Sequence, residues 1–463
     1  MIVSSKQQTT AMSFLDATPY LDGNYEPVKT ETAALDLKVK GKIPEELNGR
    51  FLRNGPNPIE QPDLATHHWF LGDGMVHGIR LREGKAAWYR SRFVGSQRIH
   101  KKFGETHSAP TRAEIGPNTN IIEHANRTLA IVEAGTQPVE LNYELDTVGT
   151  HTFEGTLNNG FSAHPKYDPL TGEIHVMAYS PRQLLGKLEY IVVNKKGLVT
   201  KTIEIEAPTM PMVHDMGLTQ KYAAVFDLPV AVDIELAMSG NQFPFRWFNS
   251  YEARIGLLPR SAHSGEQIIW CNIEPCFAFH PLNSFDDVNG CVVIDVCCFD
   301  KMFDSDRNGP FRDSLPRLER WTINPRTQKT QREIIDDRSQ EFPRVAQSVL
   351  NTKHRYGYTA QLATNESSWD FSHTLKHDLL NSTSEVHEHG PGRSAAEPVF
   401  VAREHSLGED DGWIMTLVYD KVTNRSDLVI FEAANFTDPE VARIELPERI
   451  PHGFHGNWVP DKI

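Results

Sequence analysis

The chain has 463 residues, 39% of them hydrophobic, and its 47 basic and 61 acidic residues give a net charge of −14. This length and apolar content can bury a large core, whereas the acidic balance argues against a nucleic-acid partner, which needs a basic face. No window has the roughly 18 uninterrupted apolar residues of a membrane-spanning helix, and the first residues lack a signal-peptide core, so we expect a cytoplasmic protein.

Short apolar runs dominate the chain after an N-terminal arm of about residues 1–30. In chain order they are "TLAIVEAG", "EIHVMAYS", "YAAVFDLP", "GCVVIDVCC", "WIMTLVYD" and "DLVIFEAA", each bounded by turn residues. Segments with helical periodicity over ten or more residues are scarce. This pattern predicts many short antiparallel strands joined by hairpins.

The segments between these runs contain residues that are typical of turns. "PKYDPLTGE", "NPRTQKT" and "YDKVTNRSD" contain the Asp, Asn, Pro and Gly residues that hairpin turns use. "PRQLLGK" and the polar tract "TLKHDLLNSTSEVHEHGPGRSAAEP" are interpreted as loops. We therefore predict one all-β domain spanning residues 1–463.

The length of the chain and the number of predicted strands indicate the architecture. A two-layer sandwich core stops growing before so many strands are placed, whereas radial repetition accommodates them, so a β-propeller is favoured. No GH…WD repeat is visible, and the blade number does not follow from periodicity.

Five cysteines lie in one segment, at positions 271, 276, 291, 297 and 298. The odd count and the absence of zinc-knuckle spacing predict free and mostly buried thiols.

Four histidines flank turns or strand ends beside small or aromatic residues: His164, His214, His280 and His455. Their separations are too long for a helical or zinc-finger site, so they can meet only if different parts of a closed fold bring them together. Four neutral imidazoles suit a divalent transition metal such as Fe(II). The alternative is that each is an ordinary buried or surface histidine.

Three glutamates stand in apolar β surroundings: Glu133, Glu341 and Glu397. Metal-bound imidazoles usually donate their second ring N–H to a carboxylate, and a buried carboxylate must find a donor. The alternative is that each glutamate ends a strand at the surface.

Nine segments in order resemble the carotenoid cleavage oxygenases: "FLRNGPNP", "HHWFLGDGMVHGIRL", "NTNIIEHANRTLAIVEAG", "GFSAHPKYDPLTGE", "FHPLNSFDD", "EFPRV", "RYGYTA", "HGPGRSAAEPVFVAR" and "IPHGFHGNWVP". The resemblance runs from about residue 20 to the C-terminus. It implies a seven-bladed β-propeller with a cap of loops and helix over its top face. It also implies one Fe(II) held by His164, His214, His280 and His455, with Glu133, Glu341 and Glu397 as their carboxylate partners.

The resemblance implies an activity as well, the cleavage of a polyene double bond by O2 to give two carbonyl products. Thr119 resembles the threonine whose methyl group shields one coordination position in this family; a strand-entry hydroxyl is the alternative. Trp69, Phe70, Phe279 and Thr119 itself are candidate lining residues of the substrate tunnel.

Two positions bear on the substrate. Stilbene-cleaving members have a lysine before the first of these glutamates and a tyrosine that recognise a phenol, whereas this chain has Val132 and, by our alignment, Phe93. Loss of two hydrogen-bonding groups favours an apolar carotenoid or apocarotenoid. The alternatives are stilbene cleavage, a retinoid isomerohydrolase and a metal-free interaction scaffold.

Such a substrate resides in membranes, and the segment after His214 is rich in apolar residues. Residues 234–248, with Leu236, Met238, Phe243, Phe245, Trp247 and Phe248, resemble the tunnel mouth that dips into one leaflet. We therefore expect peripheral membrane contact there. The alternative is that these side chains fill the core.

Overall fold

A computed structural model of the chain describes residues 19–64, 66–104, 111–180, 183–363 and 370–461. Within these ranges the chain forms 33 β-strands and two short α-helices, α1 (Gln97–Phe103) and α2 (Ile234–Met238).

The two ends of the chain meet in one five-stranded antiparallel sheet. Its order is β1-β5-β4-β3-β33, and its strands are β1 (Ala33–Leu35), β3 (Gly49–Pro56), β4 (Gly74–Arg82), β5 (Lys85–Phe93) and β33 (Gly456–Pro460). Because the final strand pairs with β3, the C-terminus closes the fold into a ring.

The next two sheets are simple four-stranded meanders. The first contains β6 (Asn120–His124), β7 (Arg127–Ile131), β8 (Val139–Leu141) and β9 (Thr147–Thr150). The second contains β10 (Lys166–Tyr167), β11 (Ile174–Tyr179), β12 (Lys187–Val193) and β13 (Val199–Glu206).

An eight-stranded sheet follows, made of two meanders that touch through one parallel pair between Asn272 and Lys329. The first meander is β14 (Met216–Leu218), β15 (Tyr222–Asp227), β18 (Arg254–Pro259) and β19 (Ile269–Asn272). The second is β20 (Phe277–Asp286), β21 (Val292–Phe299), β22 (Arg317–Asn324) and β23 (Lys329–Asp336). A separate hairpin of β16 (Val230–Val232) and β17 (Phe245–Trp247) flanks α2.

The last sheet has ten strands on its main path or branching from it. Its earlier strands are β24 (Gln340–Arg344), β25 (Tyr356–Leu362), β26 (Phe371–Asp378), β27 (Thr383–Glu388) and β28 (Arg393–Ala395). Its later strands are β29 (Val399–Ala402), β30 (Gly412–Asp420), β31 (Arg425–Glu432), β32 (Ala442–Glu445) and, from the start of the chain, β2 (Val39–Gly41).

These meanders, closed by pairing of the chain ends, confirm the prediction of an all-β propeller. The blade number and the single domain spanning residues 1–463 stay predictions. Residues 1–18 of the predicted N-terminal arm lie outside the described residues; further on, the arm packs Tyr20 against the Trp69 ring.

The strand burial patterns explain why the chain folds this way. Strand β20 is buried along nearly its whole length, and β21 along all of it, whereas exposed side chains recur along the outer strands β13 and β23. Continuous apolar runs such as "GCVVIDVCC" are therefore strands packed on both faces.

One loop expectation was wrong. Residues 374–398 contain most of β26, all of β27 and all of β28, with β26 and β27 paired as a hairpin. The polar "TSEVHE" strand is mostly exposed, so an edge position without an apolar run concealed its β structure.

The cysteine prediction is confirmed, since all five thiols are free and four are buried. Among the described residues, no helix is long and apolar enough to cross a membrane.

Candidate metal centre

The structure brings His164, His214, His280 and His455 together, with one ring nitrogen of each lying within 4.8 Å of the others. His164, His214 and His455 precede β10, β14 and β33, and His280 lies within β20. Each histidine therefore comes from a different meander, at its first or closing strand.

Two local backbone features orient the side chains of His280 and His455. The pairing of β20 with β21 shifts register between Ala278 and Pro281, which flank His280, and bulges of this kind re-aim side chains beside functional sites. Before His455 the chain passes β3 so closely that a Cβ on Gly55 would lie 2.7 Å from the Gly453 Cα atom. Glycine at both positions permits this approach.

Three of the histidines are each held by a glutamate. The Nδ1 atoms of His214 and His280 lie 2.8 and 2.6 Å from Oε2 of Glu133 and Glu341, and His455 Nδ1 lies 2.9 Å from Glu397 Oε1. Because an ionised carboxylate only accepts hydrogen bonds, each Nδ1 carries the hydrogen and donates it. Each Nε2 is then left with an unprotonated lone pair.

These lone pairs fit a cation. The Nε2 atoms of His214 and His280 are 3.1 Å apart, and His164 Nε2 is buried without a hydrogen-bond partner. Acceptor nitrogens so close to one another, in a buried site, suit four neutral imidazoles around a divalent transition metal. The site is therefore suited to a metal ion.

The pKa shifts favour neutral rings. Burial, followed by the influence of the neighbouring histidines, holds the pKa of His164 and His280 well below the ordinary value. Burial also lowers the pKa of His455, against the opposing effect of Glu397. Rings that resist protonation keep their lone pairs available as ligands.

The carboxylates differ from one another. Burial raises the pKa of Glu341 well above its usual value despite a hydrogen bond from the Phe342 N–H. Burial opposes ionisation of Glu397 too, but Arg344, His455 and the Gly456 N–H outweigh it and hold its pKa at about 2. A cation held by the imidazoles would favour the ionised form of Glu341.

His164 lacks a close glutamate. Its Nδ1 atom lies 3.8 Å from Oδ2 of the buried Asp215, and the same oxygen accepts a 2.7 Å hydrogen bond from Lys166 Nζ. The fourth ring is thus beside a carboxylate that is already paired with an ammonium group.

A cavity of about 1320 Å³ extends from this site to the surface. His214, His280 and His455 lie on its wall, together with apolar residues that include Met212, Phe245, Phe342 and Phe454. Its exposed lining residues include the polar Arg112, Asn158, Gln183 and Gln242 and the apolar Leu185, Ile234 and Met238. An apolar interior that opens to the surface suits a long apolar ligand.

All four candidate lining residues border this cavity: Trp69, Phe70, Thr119 and Phe279. The Phe279 ring lies 4.8 Å from His214. The Thr119 hydroxyl donates to Asn118 Oδ1 at 3.0 Å, and the Thr119 carbonyl accepts from the His455 N–H at 3.1 Å. Thr119 therefore also fixes the backbone of a candidate ligand.

Sequence reasoning missed two residues at the centre. Phe342 adopts a left-handed φ of 54° and stacks its ring 5.7 Å from that of His280. Tyr179 donates its hydroxyl to Glu133 Oε2 at 3.0 Å. Adjacency to Glu341 was the available signal for Phe342, whereas no local signal marked Tyr179.

The two substrate positions have different surroundings. Val132 lines the cavity. Phe93 instead packs with Met75 and Ile99 and stacks on Phe103, in a separate apolar cluster. Phe93 therefore does not line this cavity, and Val132 alone carries the substrate argument.

In residues 234–248 the structure also corrects the prediction that aromatic side chains contact a membrane. Phe243, Phe245 and Trp247 are buried, so they fill the core. The exposed apolar side chains there are Ile234 and Met238, which are 58% and 84% exposed.

Comparisons with known proteins agree with this geometry. The family model "RPE65: Retinal pigment epithelial membrane protein" matches residues 25–460. A carotenoid cleavage oxygenase of Mycobacterium tuberculosis is 39% identical over 98% of this chain and 99% of its own.

Two solved structures are also similar. Pseudomonas brassicacearum lignostilbene dioxygenase has a TM-score of 0.87 and 26% identity, covering 96% of this chain and 98% of its own. The cobalt-substituted Synechocystis apocarotenoid oxygenase has a TM-score of 0.84 and 27% identity over the same shares.

Proposed function

This chain belongs to the carotenoid cleavage oxygenase family, and from that membership we propose that it is a non-haem Fe(II) dioxygenase that cleaves a carbon–carbon double bond of a carotenoid or apocarotenoid. The observation that carries the proposal is the four-histidine centre opening into a large apolar cavity. In the reaction both atoms of O2 are consumed, the double bond is cut, and two carbonyl products form.

His164, His214, His280 and His455 would hold one Fe(II) per chain through their Nε2 atoms. Bound iron supplies the activation of O2, which side chains alone do not provide. Glu133, Glu341 and Glu397 fix the tautomer and orientation of three of these rings. No external acid or base is needed, because both oxygen atoms end in the products.

The cavity wall positions the substrate. Phe279 and Phe342 lie beside the imidazoles, so they exclude water and present flat apolar surfaces to a polyene. The cavity volume of about 1320 Å³ exceeds the roughly 300–1,000 Å³ of ordinary small-molecule pockets, as a long substrate requires.

A carotenoid or apocarotenoid is favoured over a stilbene by Val132. A site that recognises a phenol uses a hydrogen-bonding group, and its replacement by valine leaves a buried phenol unpaired. The similarity to lignostilbene dioxygenase keeps stilbene cleavage as the second candidate.

We also propose peripheral membrane contact around the cavity mouth. Ile234 and Met238 of α2 and Leu185 of a neighbouring connection are exposed and border the cavity. Their insertion into a lipid surface would bury apolar area and open a direct path for a membrane-dissolved substrate.

The test is anaerobic reconstitution with Fe(II), followed by incubation with β-carotene, an apocarotenal and resveratrol under ¹⁸O2. Products are reduced at once, before their carbonyl oxygens exchange with water, and analysed by mass. Paired polyene fragments, each with one ¹⁸O atom, are expected. Cleavage of resveratrol alone would replace the substrate assignment, and iron-loaded protein without O2 uptake would contradict a dioxygenase.

A further inference from the structure

The four candidate ligands are held unequally. His214, His280 and His455 each have a glutamate oxygen within 2.6–2.9 Å of Nδ1, whereas the corresponding distance from His164 to Asp215 is 3.8 Å. The fourth ring therefore lacks the close carboxylate contact that the other three rings have.

Asp215 is placed to act on two groups at once. Its Oδ1 atom accepts the Met216 N–H at 2.6 Å, and its Oδ2 atom faces both Lys166 Nζ and His164 Nδ1. Lys166 stands two residues after His164, and residues at this spacing in extended backbone lie on the same side of the chain. The same local segment thus supplies the ring and the ammonium group that competes for its carboxylate.

The charges beside the fourth ring distinguish it from the other three. Glu133, Glu341, Glu397 and Asp215 surround the imidazoles, and the cations beside these carboxylates are Lys166, Arg344 and the buried Arg53, which interacts electrostatically with Glu397. Of these cations, Lys166 is the one paired with Asp215 beside His164. Removing Lys166 would take one positive charge away from a buried site that is suited to a cation.

We propose that Lys166 and Asp215 form a positioning pair that restrains the fourth histidine and sets the charge of the metal centre. Lys166 withholds the Asp215 carboxylate from His164 and offsets its charge. Lys166 lowers the affinity of the centre for a divalent ion and favours the ferrous over the ferric state, and Asp215 acts in the opposite direction. The inference rests on the proposed metal function but requires no turnover.

Two substitutions that change the charge in opposite directions distinguish this role from a purely structural one. In Lys166→Met, Asp215 becomes free to accept the His164 Nδ1–H, and one positive charge is lost, so divalent-metal affinity rises about tenfold. In Asp215→Asn, the ammonium charge remains without its partner, so affinity falls about 10- to 100-fold, as is typical when an outer ligand partner is lost. The double variant has neither charge and returns close to wild type.

The experiment is Co(II) and Fe(II) titration of metal-free full-length protein against a competing chelator, with the Fe(III)/Fe(II) midpoint potential measured on each loaded variant. The potential falls in Lys166→Met and rises in Asp215→Asn. The control is Lys187→Met, which removes a lysine paired with Glu204 at the surface of the same sheet and leaves both readouts unchanged.

A pair with only a structural role would make both single variants bind more weakly or equally, with no opposite change in potential, and this result would overturn the inference. Wild-type protein that binds neither metal would instead overturn the proposed metal function, together with any role of the pair in it. Circular dichroism verifies that each variant is folded. If one single variant is not, the midpoint potential of the other decides, because only a charge effect shifts it in the stated direction.

Discussion

The substitution Glu397→Gln tests the contribution of one buried carboxylate at the metal centre. Glu397 is buried; burial opposes its ionisation, but the Arg344 guanidinium and hydrogen bonds from the His455 ring and the Gly456 N–H lower its pKa to about 2, against an ordinary 4.5. The difference of about 2.5 between these pKa values, at about 1.4 kcal/mol for each unit, corresponds to about 3 kcal/mol of folding free energy. Glutamine keeps the shape and removes the charge.

The sign follows from the lowered pKa. The ionised carboxylate stabilises the folded state at pH values above its unfolded pKa, and this contribution is lost as the pH falls from about 4.5 through about 2. Metal-free Glu397→Gln should therefore be less stable than wild type by about 3 kcal/mol at neutral pH. By pH 3 the gap should shrink by about 2 kcal/mol, because the unfolded wild-type chain binds a proton at this carboxyl whereas the folded chain stays ionised.

The assay is equilibrium urea denaturation of metal-free protein at several pH values. Glu133→Gln is the matched control, because Glu133 also accepts from a histidine, but its other partner is the Tyr179 hydroxyl and not a guanidinium. A Glu397→Gln variant within about 0.5 kcal/mol of wild type at neutral pH would refute the reasoning, as would a gap that does not change with pH.

Three further variants test the site and its surroundings. His280→Ala should lose the metal, measured by elemental analysis, while circular dichroism stays unchanged, since strand pairing does not require the ion; retained stoichiometric iron would contradict this ligand assignment. Replacing both Ile234 and Met238 with Asp should reduce flotation with liposomes at least several-fold, whereas Leu407→Asp, a change at a 98% exposed residue that does not border the cavity, should not. Val132→Lys should lower kcat/KM for β-carotene at least tenfold, because an ammonium group in an apolar cavity is costly to desolvate, and unchanged kinetics would remove Val132 from the substrate argument.

Much of the fold could be predicted because buried strands have a clear sequence signature. The runs "EIHVMAYS", "YAAVFDLP" and "WIMTLVYD" correspond to β11, β15 and β30. Their turns carry the Asp, Asn and Gly residues that reverse the chain. The exposed β27 escaped prediction because edge strands need no apolar run, so its hairpin with β26 left no hydrophobic pattern in the sequence.

The metal centre was less accessible to sequence reasoning. The local sequence indicated the four histidines as candidates. It could not predict that they lie close together, because the closure of the ring depends on β3 pairing with β33. Asp215 escaped notice although it directly follows His214, since its significance depends on Lys166 and His164 from another meander. Phe93 shows the reverse case, because it packs in a separate apolar cluster and not on the cavity wall that a role in substrate discrimination requires.

The carboxylate contacts connect the metal centre to the ring itself. Glu133 holds His214 from 81 residues away, Glu341 holds His280 from 61, and Glu397 holds His455 from 58. Glu133 follows β7, Glu341 lies in β24, and Glu397 lies between β28 and β29, so each contact joins different meanders. Orientation of the rings and closure of the fold are therefore coupled, because a histidine can be aimed correctly only when its neighbouring meander is docked. A metal ion that binds all four rings would bind the closed ring in preference to the open chain, and the free energy of binding would add to the stability of the fold.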